Sequence, residues 1–291
     1  MILTMKKAIN IWSFPQDWPL ERKLAVARDA GFSGFEIDLT EAGPVSMTST
    51  PKALRAVRRK VEAAGLQLSG LATGLYWGAN AASADEATRQ RAAQILASQI
   101  DRAVHLGIDA VLVIPGTVGV DFIPGAEVVP YDLAYQRAHD FLQAAAPKAE
   151  RAGVSLCVEN VWNKFLLSPL EMRAFIDGVQ SPAVASYFDA GNALQTGYPE
   201  HWITTLGQRI RRVHFKDYRR NVGTVDGFCD LLSGDVNWPA VMQSLRQIRY
   251  DGWIAAEMIP PVPFYKYCPE ILIHNTSRAL DAILALGKGD K

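Results

Sequence analysis

Four side chains able to hold a metal or move a proton each close a run of otherwise apolar residues. Glu159 ends VSLCVE, Asp189 ends VASYFD, His214 closes IRRVH and Glu257 ends WIAAE. A carboxylate that lacks a counter-charge is costly to bury, so four such endings in succession call for a shared partner. Three anionic oxygens and one imidazole suit Mn²⁺, Mg²⁺ or Co²⁺, with Zn²⁺ also possible, better than a thiolate-bound structural zinc. The competing reading, in which each acid caps a helix or pairs with a base, explains any one of them but not all four.

The elements that must position these residues follow one rhythm: amphipathic helix, glycine, short apolar strand. Gly31, Gly65, Gly107, Gly153, Gly207 and Gly252 stand where a helix must stop and accept the left-handed position beyond its last turn. Runs rich in Val, Ile, Phe and Leu follow, as expected of strands covered on both faces. Strands are predicted at 8–12, 34–38, 66–71, 110–114, 154–159, 184–188, 211–216 and 253–257. Helices are predicted at roughly 19–30, 52–64, 84–106, 131–152, 168–178, 199–208, 237–249 and 268–286. Eight βα units in 291 residues predict one α/β domain over residues 1–291, a single (β/α)₈ TIM barrel. An open doubly wound sheet would show a glycine-rich phosphate turn after its first strand, and NIWSFPQDWP has none. In a parallel barrel the reactive groups gather at the C-terminal strand ends, where all four residues fall.

Lys plus Arg equals Asp plus Glu, 30 against 30. The basic surplus that neutralises phosphate backbones is missing, so no nucleic-acid partner is expected. No stretch has the length of a signal peptide or a membrane span, so no membrane association is expected. Cys157, Cys229 and Cys268 form no CxxC pair and are too few for a disulfide framework, so a reducing, cytoplasmic setting is expected.

Several residues are weaker candidates. Glu36 ends strand 2 and is placed to hydrogen-bond substrate or to cap a helix. Lys216 and Arg220 follow strand 7, where either a phosphate contact or a solvated loop charge fits. Trp12, Trp77 and Trp162 lie at or beyond strands 1, 3 and 5, as pocket walls or as ordinary packing of a barrel mouth. His105, His139, His201 and His274 fall in or beside helices and read as structural. Cys157 reads as core.

ENVWNKFLLSP, YFDAGN, HFKD, SGDVNWPAV and YDGWIAAEM, in that order, resemble segments of the sugar phosphate isomerase/epimerase superfamily with its xylose-isomerase-like barrel. Within that superfamily the likeness is to ketose 3-epimerases and hexulose or pentulose phosphate isomerase/epimerases. The resemblance implies one divalent metal, Mn²⁺ first, on Glu159, Asp189, His214 and Glu257. It implies Glu159 and Glu257 as the proton-transferring pair, Arg220 as a substrate contact and pairing of barrels into homo-oligomers. The implied activity is isomerisation or epimerisation of a sugar or sugar phosphate by proton transfer next to a carbonyl, through a metal-stabilised enediolate. Inosose-type dehydration or hydroxypyruvate-type isomerisation on the same ligands is the alternative. A sugar binder without turnover and an endonuclease IV-like nuclease rank lower. The chain departs from free-ketose epimerases at Asn192, where many carry histidine, and at Phe165, where many carry a second glutamate.

Overall fold

A computed structural model describes residues 5–258 and 267–287. Eight parallel strands close into a barrel in the order β1-β10-β7-β6-β5-β4-β3-β2. They are β1 (Lys6–Asn10), β2 (Gly34–Asp38), β3 (Gln67–Ala72), β4 (Ala110–Val113), β5 (Ser155–Glu159), β6 (Val184–Asp189), β7 (Ile210–Phe215) and β10 (Trp253–Ala256). Between β7 and β10 a small antiparallel pair, β8 (Asp217–Tyr218) and β9 (Phe228–Cys229), adds to the expected eight units.

The helices are α1 (Leu20–Asp29), α2 (Pro51–Ala63), α3 (Glu86–Leu106), α4 (Tyr131–Ala152), α5 (Pro169–Gly178), a single turn α6 (Ala190–Ala193), α7 (Pro199–Leu206), α8 (Trp238–Gln247) and α9 (Pro269–Ala285). Four of those longer than a single turn begin on a side-chain cap. Thr50, Asp85, Ser168 and Asn237 each accept from an N–H three residues on, satisfying a donor that the helix leaves free.

Gly31, Gly65, Gly107, Gly153 and Gly207 all take positive φ, as the helix–glycine–strand rhythm predicts. Gly252 does not. There Arg249 takes the left-handed turn (φ 57°), and Gly252 instead lies against the Tyr250 ring, where a Cβ would come within 2.6 Å of the phenol oxygen. Strand β1 also begins and ends two residues earlier than predicted. The Asn10 side chain accepts from the Trp12 backbone N–H at 2.7 Å and winds Ile11–Ser13 into a 3₁₀ turn.

Phe215 of β7 packs on Trp238 of α8, while Arg212 and His214 reach across the barrel to the Ser69 carbonyl and to Glu36, the two-residue alternation of a strand. A register shift between Ser186 and Tyr187 sets Asp189 level with His214, and His214 is level with Ala255 on β10. Without that shift Asp189 would lie beside Val213. Glu159 is level with Tyr187, one inward position short of Asp189. The packed barrel thus delivers its polar strand ends to one end, on neighbouring inward positions.

Candidate metal centre

Glu159, Asp189, His214 and Glu257 converge. One ligand atom from each lies within 4.8 Å of all the others, and all four residues are buried. His214 Nδ1 faces the three carboxylates, at 3.3 Å from Glu159 Oε1, 3.8 Å from Asp189 Oδ2 and 3.8 Å from Glu257 Oε2.

Asp189 is both a cap and a site residue. Its Oδ1 accepts from the Asn192 backbone N–H at 2.7 Å and starts the turn α6. Its Oδ2 is buried with no hydrogen-bond donor and faces the cluster. Asn160, which the sequence reading passed over, fixes this strand end. Its amide donates to the Asp189 carbonyl and its oxygen accepts from the Asp189 N–H, both at 2.8 Å. The neighbour of one acid therefore clamps the backbone of the next.

Lys216 is not the solvated charge that its place after β7 suggested. Two residues beyond His214, it keeps the inward face and is 5% exposed. Its ammonium lies 3.4 Å from Asp189 Oδ2 and in direct contact with Glu257 Oε2. On its other side it sits 5.2 Å over the Phe228 ring, which packs on Trp162 at 5.2 Å. Trp162 also meets Tyr218 edge-on, and its indole N–H is buried with no acceptor. The β8–β9 pair thus roofs the cluster with aromatic side chains.

Glu36 is fully buried and stands behind His214, whose Nε2 donates to Glu36 Oε2 at 2.8 Å. Arg220 is not brought into the cluster. Its guanidinium stacks 4.8 Å over Tyr198 and reaches the Gly197 carbonyl, on the exposed rim. Trp12 donates to Asp38 Oδ2 at 2.9 Å, and Trp77 packs edge-on against Phe122. Phe165, at the place of a second glutamate in many free-ketose epimerases, is buried against Tyr131, Tyr135 and Phe175. Asn192 is buried with its amide nitrogen unpaired. Asp217 is a staple, accepting from the N–H groups of Tyr218, Leu232 and Val236 and from the Trp238 indole. Burial pushes the Cys157 thiol up to about 12, which suits an inert core residue.

The charges are strongly perturbed. Burial lifts Glu159 to about 7, against the hydrogen bond from His214, with the Glu257 charge adding to the rise. Burial also raises Asp189, Lys216 opposing it. For Glu257 burial acts upward but the Lys216 ammonium and His214 outweigh it, leaving the group below its ordinary value. His214 and Lys216 are both held up by the surrounding carboxylates despite their own desolvation. Two glutamates side by side with values pushed apart are the usual mark of an acid–base pair. The donor set suits a divalent cation: three carboxylates and an imidazole nitrogen, with Asp189 Oδ2 buried, without a hydrogen bond and balanced by the Lys216 charge.

Residues 24–274 match the Xylose isomerase-like TIM barrel family. A protein of Escherichia coli (strain K12) provisionally assigned as an L-ribulose-5-phosphate 3-epimerase is 26% identical over 256 residues, 83% of each chain. An uncharacterized protein of Methanocaldococcus jannaschii is 26% identical over 184 residues, and the match spans 60% of that protein and 61% of this one. Among solved structures, an L-ribulose 3-epimerase superposes with a TM-score of 0.78 at 20% identity, covering 97% of this chain and 95% of that one. A D-psicose 3-epimerase superposes at 0.81 with 17% identity over 98% and 100%. The zinc-bound IolI protein superposes at 0.78 with 16% identity over 97% and 98%. At these identities the structural matches establish the fold. No helix among the described residues is long and apolar enough to cross a membrane.

Proposed function

The chain belongs to the Xylose isomerase-like TIM barrel family, and on that premise we propose that it is a divalent-metal-dependent isomerase or epimerase of a ketose or ketose phosphate. The observation that carries this reading is the convergence of two glutamates with Asp189 and His214 on a single point. A binding protein has no use for two buried carboxylates with opposed proton affinities, whereas proton transfer next to a carbonyl needs both. Glu159, Asp189, His214 and Glu257 would hold the ion, Mn²⁺ first and Mg²⁺, Co²⁺ or Zn²⁺ as substitutes. When bound, it supplies Lewis-acid stabilisation of the charge that builds on the carbonyl oxygen.

The protein's own groups do the rest. Glu159 and Glu257, which reach the centre from separate strands, would be the proton-transferring pair, one taking the α-proton and the other returning one from its own side. Lys216 orients substrate oxygens and Trp162 offers its free indole N–H to a hydroxyl. The β8–β9 aromatics that pack over Lys216 would keep water from the centre. The Escherichia coli relative's assignment makes a pentulose phosphate a leading test substrate. Three free cysteines suit the reducing, cytoplasmic setting expected for it. Like other barrels it would act as a homo-oligomer on small molecules and not on nucleic acid.

The test is solvent-deuterium exchange over a panel of ketoses, their phosphates and inososes, with Mn²⁺ supplied. A ketose or its phosphate should gain deuterium at the carbon beside the carbonyl and form its epimer or aldose isomer. Metal binding with no exchange on any member of the panel would refute the enzymatic reading. Loss of water from an inosose would replace it with the dehydratase.

A further inference from the structure

Glu36 is the one carboxylate of the centre that the chemistry above leaves without a task. It is fully buried on β2, where its Oε2 meets the Nε2 of His214 at 2.8 Å and the Tyr187 hydroxyl lies beside its carboxylate. It pairs across the sheet with Gly70 of β3. A Cβ on Gly70 would lie 2.9 Å from the Tyr187 hydroxyl and 3.6 Å from Glu36 Cγ, so the missing side chain makes room for both. Tyr187 in turn lays its ring 4.6 Å from the imidazole. Three strands therefore contribute a glutamate, a glycine and a tyrosine to the far side of one histidine.

A carboxylate accepts from Nε2, so the Glu36 contact keeps a hydrogen on Nε2, and a cation that displaces the proton Nδ1 shares with the carboxylates would meet the Nδ1 lone pair on the side of Glu159, Asp189 and Glu257. We propose that Glu36 is a positioning residue that fixes the tautomer and rotation of His214 so that Nδ1 serves as a metal ligand, and that it does not contact substrate. Outer-shell carboxylates of this kind raise the basicity of a ligand histidine. The inference rests on the metal-centre reading, and the experiment separates the two.

Metal-stripped wild type, Glu36→Gln and Glu36→Met are titrated with Co²⁺ by calorimetry, each also in the His214→Ala background. The wild type should bind tightly, and each Glu36 variant should bind about 10–100-fold more weakly, the usual effect of losing such a partner. In the His214→Ala background the same substitutions should change affinity by less than about threefold, because the side chain they act through is gone. In ¹H NMR of the Co²⁺ protein, the exchangeable imidazole N–H resonance should be sharp in the wild type. It should exchange faster with water in both variants. Thermal melts confirm that the variants are folded, and Met guards against a Gln that keeps the hydrogen bond. Equal losses in both backgrounds, or Co²⁺ affinity and N–H exchange unchanged in both variants, would overturn the assignment. No Co²⁺ binding by the wild type would instead sink the metal centre itself.

Discussion

Lys216 is the internal counter-cation of the centre, so Lys216→Met separates what holds the apoprotein together from what holds the ion. The ammonium is 5% exposed and shared by Asp189 and Glu257. Replacing it leaves two buried carboxylates short of positive charge, and losing one partner of a buried pair typically costs about 3–5 kcal/mol. In a protein of this size each kcal/mol moves the melting temperature by roughly 2 °C, so the metal-free variant should melt about 6–10 °C below the metal-free wild type. A divalent ion would restore the missing charge. If half of the penalty is recovered on loading, about 2 kcal/mol, linkage requires the variant to bind metal roughly 30-fold more tightly.

The assay is scanning calorimetry of EDTA-stripped protein with and without Mn²⁺, followed by isothermal titration. Affinity and turnover should move in opposite directions, tighter metal with slower conversion, since the group assigned to substrate oxygens is gone. A metal-free variant melting within about 2 °C of wild type would mean the cluster does not depend on Lys216 for charge balance. Weaker metal binding by the variant would show that the ammonium arranges the carboxylates for the ion and does not stand in for it.

His214→Ala should weaken metal binding while leaving both glutamates in place, with activity partly restored by excess Mn²⁺; full activity at undiminished metal content would remove His214 from the ligand set. Glu159→Gln and Glu257→Gln should retain metal but lose about 10²–10⁴-fold in turnover. One of the two should still exchange the substrate's α-proton without forming product if the reaction is a two-base epimerisation, and near-normal product from both would refute the mechanism. At the opposite end of the barrel, Asp109→Asn removes the partner of Arg212, which is buried while Asp109 is half exposed. The loss should be about 1–3 kcal/mol, below that of a fully buried pair. Arg212 and Arg211 outweigh burial and hold Asp109 below its ordinary value, so its contribution is present above the unfolded-state value and lost as pH falls through the folded one. The stability gap from wild type should therefore be constant above about pH 5 and narrow toward pH 3 in denaturant titrations, and a gap that does not narrow would assign the loss to packing.

Where hydrophobic rhythm carries the signal, the sequence reading and the structure coincide. All eight barrel strands were legible, and the four ligands stood out because an acid or imidazole at the end of an apolar run is chemically anomalous. What could not be read was decided by single contacts. Nothing in KDYRR announces a two-residue strand, because β8 exists through the bonds that Asp217 collects from a loop up to 21 residues away. Asn160 looks like any polar residue after a strand until its amide meets the Asp189 backbone. Lys216 was within reach: the two-residue period of HFK puts it on the face of His214, and that period outranks the general habit of lysines to be solvated. For Asp189 the choice between cap and ligand was a false one, since a carboxylate has two oxygens and uses them separately.

The strand order divides the barrel mouth into halves with different work. β5, β6, β7 and β10 are consecutive neighbours, and the four converging residues lie on them or directly after them. From the other half, β1 to β4, comes Glu36, which supports the cluster from behind, together with loops bearing Trp12 and the Trp77–Phe122 pair. Two departures from the free-ketose epimerase pattern fall beside the chemical arc itself: Phe165 turned into an aromatic core and Asn192 left with an unpaired amide. An apolar residue withdrawn from the pocket and a neutral amide in place of an imidazole change which hydroxyls can be gripped without touching any of the four ligands. Since isomerisation, epimerisation and dehydration could all use the same four residues, it is these surrounding positions that should distinguish substrates, and exchanging them should leave the convergence of the four intact.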